Sequence, residues 1–255
     1  MKKLFFLIGM AFIILLLSVT NHNSISQSVE NLAYVIAIGI DNGDTNLLKL
    51  TFQIATPSDS SSSGKSEQSS GSTITTVECA SINSGINMLN SYISKKLNLS
   101  HCKIIVFSEN FASNDISDEV ATFINNTEIR PDCSIVISKC DAEDFININQ
   151  PVLVTLTARF YEIVLSSGDY SGFSKNVTLL DFYNSLKNNY SEPTAILAGL
   201  NLPSTHIMPN DINYIDIDSQ YTASQANISN KNNMEISGLA VFHNGILVRR
   251  NDLYG

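Results

Sequence analysis

Leu32 to Asp41, LAYVIAIGID, is apolar on both of the faces a strand would present. Such a run belongs at the centre of a sheet, where both sides are covered. After Asn42-Gly43-Asp44, the stretch Leu47 to Ile54 alternates Leu48, Leu50, Phe52 and Ile54 with Lys49, Thr51 and Gln53. A period of two marks a strand with one wet face, so the chain opens as strand, turn, strand. Pro57 to Thr73, PSDSSSSGKSEQSSGST, then has almost nothing to bury and is expected to be a mobile excursion from the domain.

From Ser81 the period changes. Ile82, Ile86, Leu89, Ile93 and Leu97 fall on one helical face, and Lys95 and Lys96 in the last turn suit the helix dipole, which predicts a helix running to Leu97. Cys102 to Phe107 reads as a buried strand, Ile116 to Asn125 as a helix, Ser134 to Ser138 as a strand and Asp141 to Ile148 as a short helix. Pro151 opens a further helical stretch carrying Leu153, Leu156, Phe160, Ile163 and Val164, and another helix is expected at Thr178 to Leu186. Thr194 to Leu200 is short and apolar, and Asn201 to Lys231 is rich in Asn, Asp and Ser. Gly238 to Val248, GLAVFHNGILV, places Asn244-Gly245 where a tight hairpin turn needs them. Because a lone hairpin is marginal, this end needs a partner sheet. Strands alternating with amphipathic helices predict an α+β protein, a mixed sheet covered by helices, followed by a partial second β-containing domain. The expected divisions are residues 21–190, with the Ser-rich loop at 57–73, and residues 191–255.

Ahead of this domain, Lys2 and Lys3 lead into sixteen uncharged residues, Leu4 to Val19. That is the pattern of an export signal or N-terminal membrane anchor over residues 1–20, with the remainder outside the cytoplasm. As a helix the run rises only about 24 Å, short of the roughly 30 Å hydrocarbon core, which fits a signal better than a full span. Ser18-Val19-Thr20-Asn21 lacks a small-x-small cleavage pattern, so retention by an uncleaved helix stays open. Setting aside Lys2 and Lys3 leaves 13 Lys and Arg against 24 Asp and Glu, a net charge of −11 for the exported part. Nucleic acid and anionic membrane surfaces are poor partners for such a chain. The four cysteines, Cys79, Cys102, Cys133 and Cys140, form no C-x-x-C pair. They read as free, buried small residues, one disulfide being the alternative that an oxidising compartment allows.

The residue types that carry chemistry are present but not gathered. His22, His101, His206 and His243 are scattered, and no H-x-H or H-E-x-x-H occurs. His101 and Cys102 are neighbours, but neighbours on a strand point to opposite faces, which predicts a surface histidine beside a buried cysteine. Asp211, Asp216 and Asp218 lack the glycine turn and closing glutamate of a calcium loop and read as a solvated acidic segment. No G-x-S-x-G or glycine-rich phosphate loop is present, and Gly39 and Gly43 read as close-packing and turn glycines. The expectation is a protein that is not an enzyme, with no cofactor and no metal. One charged cluster stands out. Pro131 forces Arg130 out of the helical region, and in an extended chain Glu128, Arg130 and Asp132 project to one side. Arg130 there bridges two carboxylates or receives one from a partner, the plainer alternative being a self-satisfied ion network at a helix-to-strand corner. Asp41, Glu128, Arg130 and Asp132 are the candidate interaction residues.

Five ordered segments carry a family resemblance: NLAYVIAIGID at Asn31 to Asp41, FQIATPS at Phe52 to Ser58 before the Ser-rich loop, KIIVFSE at Lys103 to Glu109, TEIRPDCSIVISK at Thr127 to Lys139, and GLAVFHNGILV at Gly238 to Val248. Together they resemble the Ger(x)C family, the C subunit of spore nutrient germinant receptors. The resemblance implies a multidomain α+β fold and a non-enzymatic extracytoplasmic subunit in nutrient-triggered germination. It further implies a place on the outer face of the cytoplasmic (spore inner) membrane, with integral-membrane A-type and B-type receptor subunits as partners. Two departures stand beside it. LLLSVTNHN carries no lipobox cysteine, which predicts that no lipid is attached, and the chain stops at Gly255 where family chains continue into a C-terminal domain. The alternatives are a freestanding exported ligand-binding module, a degenerate truncated paralogue, and an exported hydrolase, for which no constellation is visible.

Overall fold

The computed structural model describes residues 3, 9–10, 31–56, 71–148, 157–166, 168–172, 174–188, 190–200 and 234–251. Contacts group the chain into two units, residues 1–32 and 33–255. Of the first unit, Lys3, Gly9 and Met10 are helical and exposed, and the rest of the expected signal lies outside the described residues. Among the described residues no helix is long and apolar enough to cross a membrane.

The second unit is built on one nine-stranded mixed sheet. Its strands are β1 (Leu32–Asn42), β2 (Leu48–Ala55), β3 (Ser72–Cys79), β4 (Lys96–Asn98), β5 (Ile104–Ser108), β6 (Ser134–Ser138), β7 (Thr194–Leu200), β8 (Met234–His243) and β9 (Ile246–Asn251). They run in the order β3-β2-β1-β5-β6-β7-β8-β9, with β4 on β1. The four central strands β1, β5, β6 and β7 are parallel, and an antiparallel meander flanks them on each side. Parallel strands are buried on both faces, which is why IIVFS and SIVIS are buried throughout.

Helices α1 (Ile82–Tyr92), α2 (Glu109–Ala112), α3 (Ser117–Asn125), α4 (Ala142–Ile148), α5 (Thr157–Leu165), α6 (Gly168–Ser171) and α7 (Leu179–Lys187) supply the cover. Strand register puts Ile38, Ile40, Leu50, Phe52, Ile105 and Phe107 on one face. There Phe107 meets Phe111 of α2 and Phe123 of α3, with ring centroids 6.1 and 6.4 Å apart, and Gly85 lets α1 lie against Leu50 and Cys79. The other face carries Gly39, Asp41, Thr51, Gln53 and Ser108. Helix α4 sits directly on Gly39, where a Cβ would come within 2.9 Å of Ile146 Cδ1, and Tyr161 of α5 donates its hydroxyl to Gln53 Oε1 at 2.9 Å. Of the polar residues that make β2 look half wet, Thr51 and Gln53 are thus buried and paired, while Lys49 stays partly exposed and pairs with Glu143 of α4.

Three expectations are corrected. The first helix ends at Tyr92, not Leu97: Ile93 is extended, Asn90 Oδ1 accepts from Leu97 N at 2.8 Å, and Leu97 is buried in β4. A helical-period match across Ile93 and Leu97 arose from two different elements on one core. The end of the Ser-rich tract, Ser72 and Thr73, belongs to β3, while residues 57–70 lie outside the described residues. Finally, residues 191–255 do not form a separate second domain in their described part. β7 pairs with β6, β8 with β7 and β9 with β8, so the hairpin finds its partner sheet in the first domain. Its turn is as expected, with Asn244 and Gly245 at φ 51° and 79°, the left-handed geometry a two-residue hairpin needs. Residues 149–156, with Pro151 and Leu153, and the acidic segment with Asp211, Asp216 and Asp218 lie outside the described residues.

Candidate interaction site

The four candidate residues are divided between opposite ends of the parallel strands. Asp41 lies at the carboxyl end of β1 and is buried, with 5% of its surface exposed. Its Oδ1 accepts from Ala142 N at 2.8 Å and its Oδ2 from Glu143 N at 3.0 Å, so a strand-end aspartate caps a helix 101 residues away. Burial raises the Asp41 carboxyl above the ordinary aspartate range, while the two amides and the Ser108 hydroxyl pull the other way. Beside it, Lys49 and Glu143 form an ion pair, and Thr76 donates to Glu143 Oε1 at 3.1 Å. Lys49 holds the Glu143 carboxyl below its usual range. This end of the sheet is closed on itself.

The segment from Asn126 to Cys133 follows α3 and leads into β6. It folds as two successive turns, Ile129 N donating to Asn126 O and Cys133 N to Arg130 O, each at 3.1 Å, in place of the extended run expected from sequence. The change of backbone separates the charges. Glu128 turns inward to the β4 region, accepting from Lys96 Nζ at 3.4 Å and Leu99 N at 3.3 Å. Arg130 pairs with Asp132 alone, through Nε to Oδ1 at 3.0 Å and Nη2 to Oδ2 at 2.6 Å. That fork lies in the open, with 58% of the Arg130 side chain and 61% of the Asp132 side chain exposed. The backbone beneath it is fixed. Pro131 O accepts from Leu180 N at 3.1 Å and Cys133 O from Leu179 N at 2.7 Å, satisfying the first free amides of α7. Thr178 and Asp181 complete that helix start as a capping box.

Next to the fork a cleft of about 170 Å³ opens at the amino ends of β5 and β6, lined by Lys103, Asp132, Ser134, Glu162 and Asn176 over Cys102, Cys133 and Leu165. Its charges answer one another: Glu162 accepts from Lys103 Nζ at 2.6 Å and from Arg159 Nη1 at 2.9 Å, and Lys103 above all holds its carboxyl below the usual range. Among the described residues no three His, Cys, Asp or Glu side chains gather as a metal set. His101 is exposed with its ring edge-on to Tyr34 at 4.9 Å, and Cys102 is buried, but both precede β5 in a turn closed by Cys102 N on Leu99 O, so the contrast does not come from strand alternation. The long-range partners Lys96 of Glu128 and Glu162 of Lys103 left no sequence signal, since each pair joins elements that meet only in the fold.

The family model for the spore germination protein N-terminal domain matches residues 26–200, and the chain belongs to that family. Its role therefore lies in spore germination. The match ends with β7, while the sheet continues through β8 and β9. No curated protein and no solved structure matches the chain.

Proposed function

We propose that this protein is a non-enzymatic, extracytoplasmic subunit of a spore germinant receptor, and that it acts through contact with integral-membrane receptor subunits of the A and B types. The observation that carries the reading is the Arg130–Asp132 fork. Of the other ion pairs among the described residues, Lys49 with Glu143 and Lys103 with Glu162 are held against the fold and His243 with Glu192 is as open as the fork, but the fork alone joins a guanidinium to a carboxylate by two parallel hydrogen bonds and is presented to solvent from a backbone clamped by α7. Family membership and the apolar run Leu4 to Val19 support a place on the outer face of the cytoplasmic (spore inner) membrane. A freestanding ligand-binding module is less well supported, because the cleft of about 170 Å³ has its charges already paired, and a larger open one of about 430 Å³ beside α1 and α3 is lined by Asn83, Asp118, Thr122, Asn125 and Asn126 with Ala121 as its one apolar residue, whereas small-molecule sites are mostly apolar.

Affinity purification of the tagged full chain from detergent-solubilised spore inner membranes tests this. Two multispanning proteins should accompany it, and spores lacking it should lose a nutrient response. Recovery of the chain alone, from the soluble fraction, would overturn the proposal.

A further inference from the structure

Cys102 and Cys133 stand at the starts of the two innermost strands. The parallel register pairs Ile104 with Ser134, and Ser134 N donates to Lys103 O at 2.9 Å, so the residues just before β5 and β6 are held side by side. The two sulfurs are 3.7 Å apart, and each residue is nearly closed to solvent, at 2% and 1% exposure. A disulfide has its sulfurs about 2.0 Å apart, so closure asks for an approach of under about 2 Å, within the reach of side-chain rotation. The other two cysteines are placed elsewhere. Cys79 ends β3, three strands from β5, and Cys140 follows the opposite end of β6 with its sulfur on Ser138 Oγ. Of the six pairs that four cysteines can form, the fold favours Cys102 with Cys133.

We propose that Cys102 and Cys133 are a disulfide-forming pair, closed during folding by exchange with an external disulfide of the glutathione class. One cysteine thiolate attacks a sulfur of the external disulfide, forming a mixed disulfide and releasing one external thiolate. The second cysteine thiolate then attacks the protein-bound sulfur of that mixed disulfide and releases the other. The two protons given up by the cysteines leave on the two external thiols, so one disulfide is reduced as two protein thiols are oxidised. Exchange needs a thiolate and access, and the folded core denies both; burial holds the Cys133 thiol well above its ordinary range. Closure is therefore fast while the chain folds and slow afterwards. The bond ties together the entry points of β5 and β6, the strands on which the exposed Arg130–Asp132 corner is mounted.

The test uses the full chain, reduced and denatured, then refolded with oxidised and reduced glutathione, alkylated and digested with trypsin without reductant. Cleavage after Lys96, Lys103 and Lys139 separates the Cys102 peptide from the Cys133 peptide, because Arg130-Pro131 resists the enzyme. The expected result is one species joining residues 97–103 to 104–139, absent from Cys133→Ser, and a thermal midpoint about 5–10 °C above that of the reduced chain. Adding the same mixture to native reduced protein should form the bond at least about tenfold more slowly. Folded protein carrying alkyl groups on both cysteines, or a bond through Cys79 or Cys140, would overturn the proposal. Alkylation in intact sporulating cells separates this from the location proposed above. A pair that closes in glutathione yet is reduced in the cell refutes the extracytoplasmic placement and leaves the pairing standing.

Discussion

Asp41, at the carboxyl end of β1, and Asp132, just before the amino end of β6, are both aspartates next to a helix start, yet one is 5% exposed and the other's side chain 61%. The helix explains the difference. Helix α4 takes its cap from the Asp41 side chain, while α7 is satisfied by the carbonyls of Pro131 and Cys133 and by its own Thr178–Asp181 box. Where backbone carbonyls serve the helix, the neighbouring acid is free to face outward with Arg130. A carboxylate's role is therefore set by what else can meet the orphan amides nearby. By this comparison Asp41 belongs to the fold, whereas the Arg130–Asp132 corner faces solvent, which is what the proposed contact with a partner requires.

The sharpest way to break that division is Asp41→Ala. It strands two buried amides and leaves a void, and thermal or urea unfolding should show a loss of about 2–4 kcal/mol. A variant of near-normal stability would mean that α4 does not depend on this cap. Gly39→Ala probes the same end more gently. Its Cβ would meet Ile146 at 2.9 Å and Ala142 at 3.1 Å, lifting α4 from the sheet at a cost of about 1–3 kcal/mol in the same assay.

Acid titration sharpens the comparison further. Glu143 is held below its ordinary value of 4.5 by Lys49, so its contribution is present above that pH and lost as pH falls through the folded value. Asp41, raised above 3.8 by burial, has the opposite sign: stability falls as pH rises between 3.8 and its folded value. Glu143→Gln should flatten the acid limb of a stability-against-pH curve by about 1 kcal/mol, and Asp41→Asn should remove the opposing slope. Smallest of all, Arg130→Ala should change unfolding free energy by less than about 0.5 kcal/mol, because both partners of its ion pair are mostly in solvent.

The strands were legible because their apolar runs are local facts. LAYVIAIGID, CKIIVF, SIVIS and the Asn244-Gly245 hairpin needed no knowledge of the fold, and the helices from Ser117, Ala142 and Leu179 start within a residue or two of where their periodicity placed them. β3 was not legible. STITTVEC adjoins a Ser-rich tract and alternates small polar residues that look like more of the same, yet Thr76 pairs with Glu143 of α4 and Ser72 with Gln53 of β2. The overrun of α1 had a different cause: Ile93 and Leu97 keep helical spacing while serving one core from two elements. The site was legible in its residues and not in its partners. Asp41 finds its amides 101 residues on, and Glu128 turns to Lys96 because the chain between Asn126 and Cys133 folds into turns, which alternation of side chains cannot foresee.

The exposed corner as a partner surface is tested most directly by the Arg130→Ala, Asp132→Ala double variant. Recovery of the A-type and B-type subunits from solubilised spore membranes is measured beside the thermal midpoint of the purified chain. Recovery should fall at least about tenfold, equivalent to about 1.4 kcal/mol of binding, while the midpoint moves by no more than about 2 °C. Undiminished recovery from a variant that melts like the parent would contradict it.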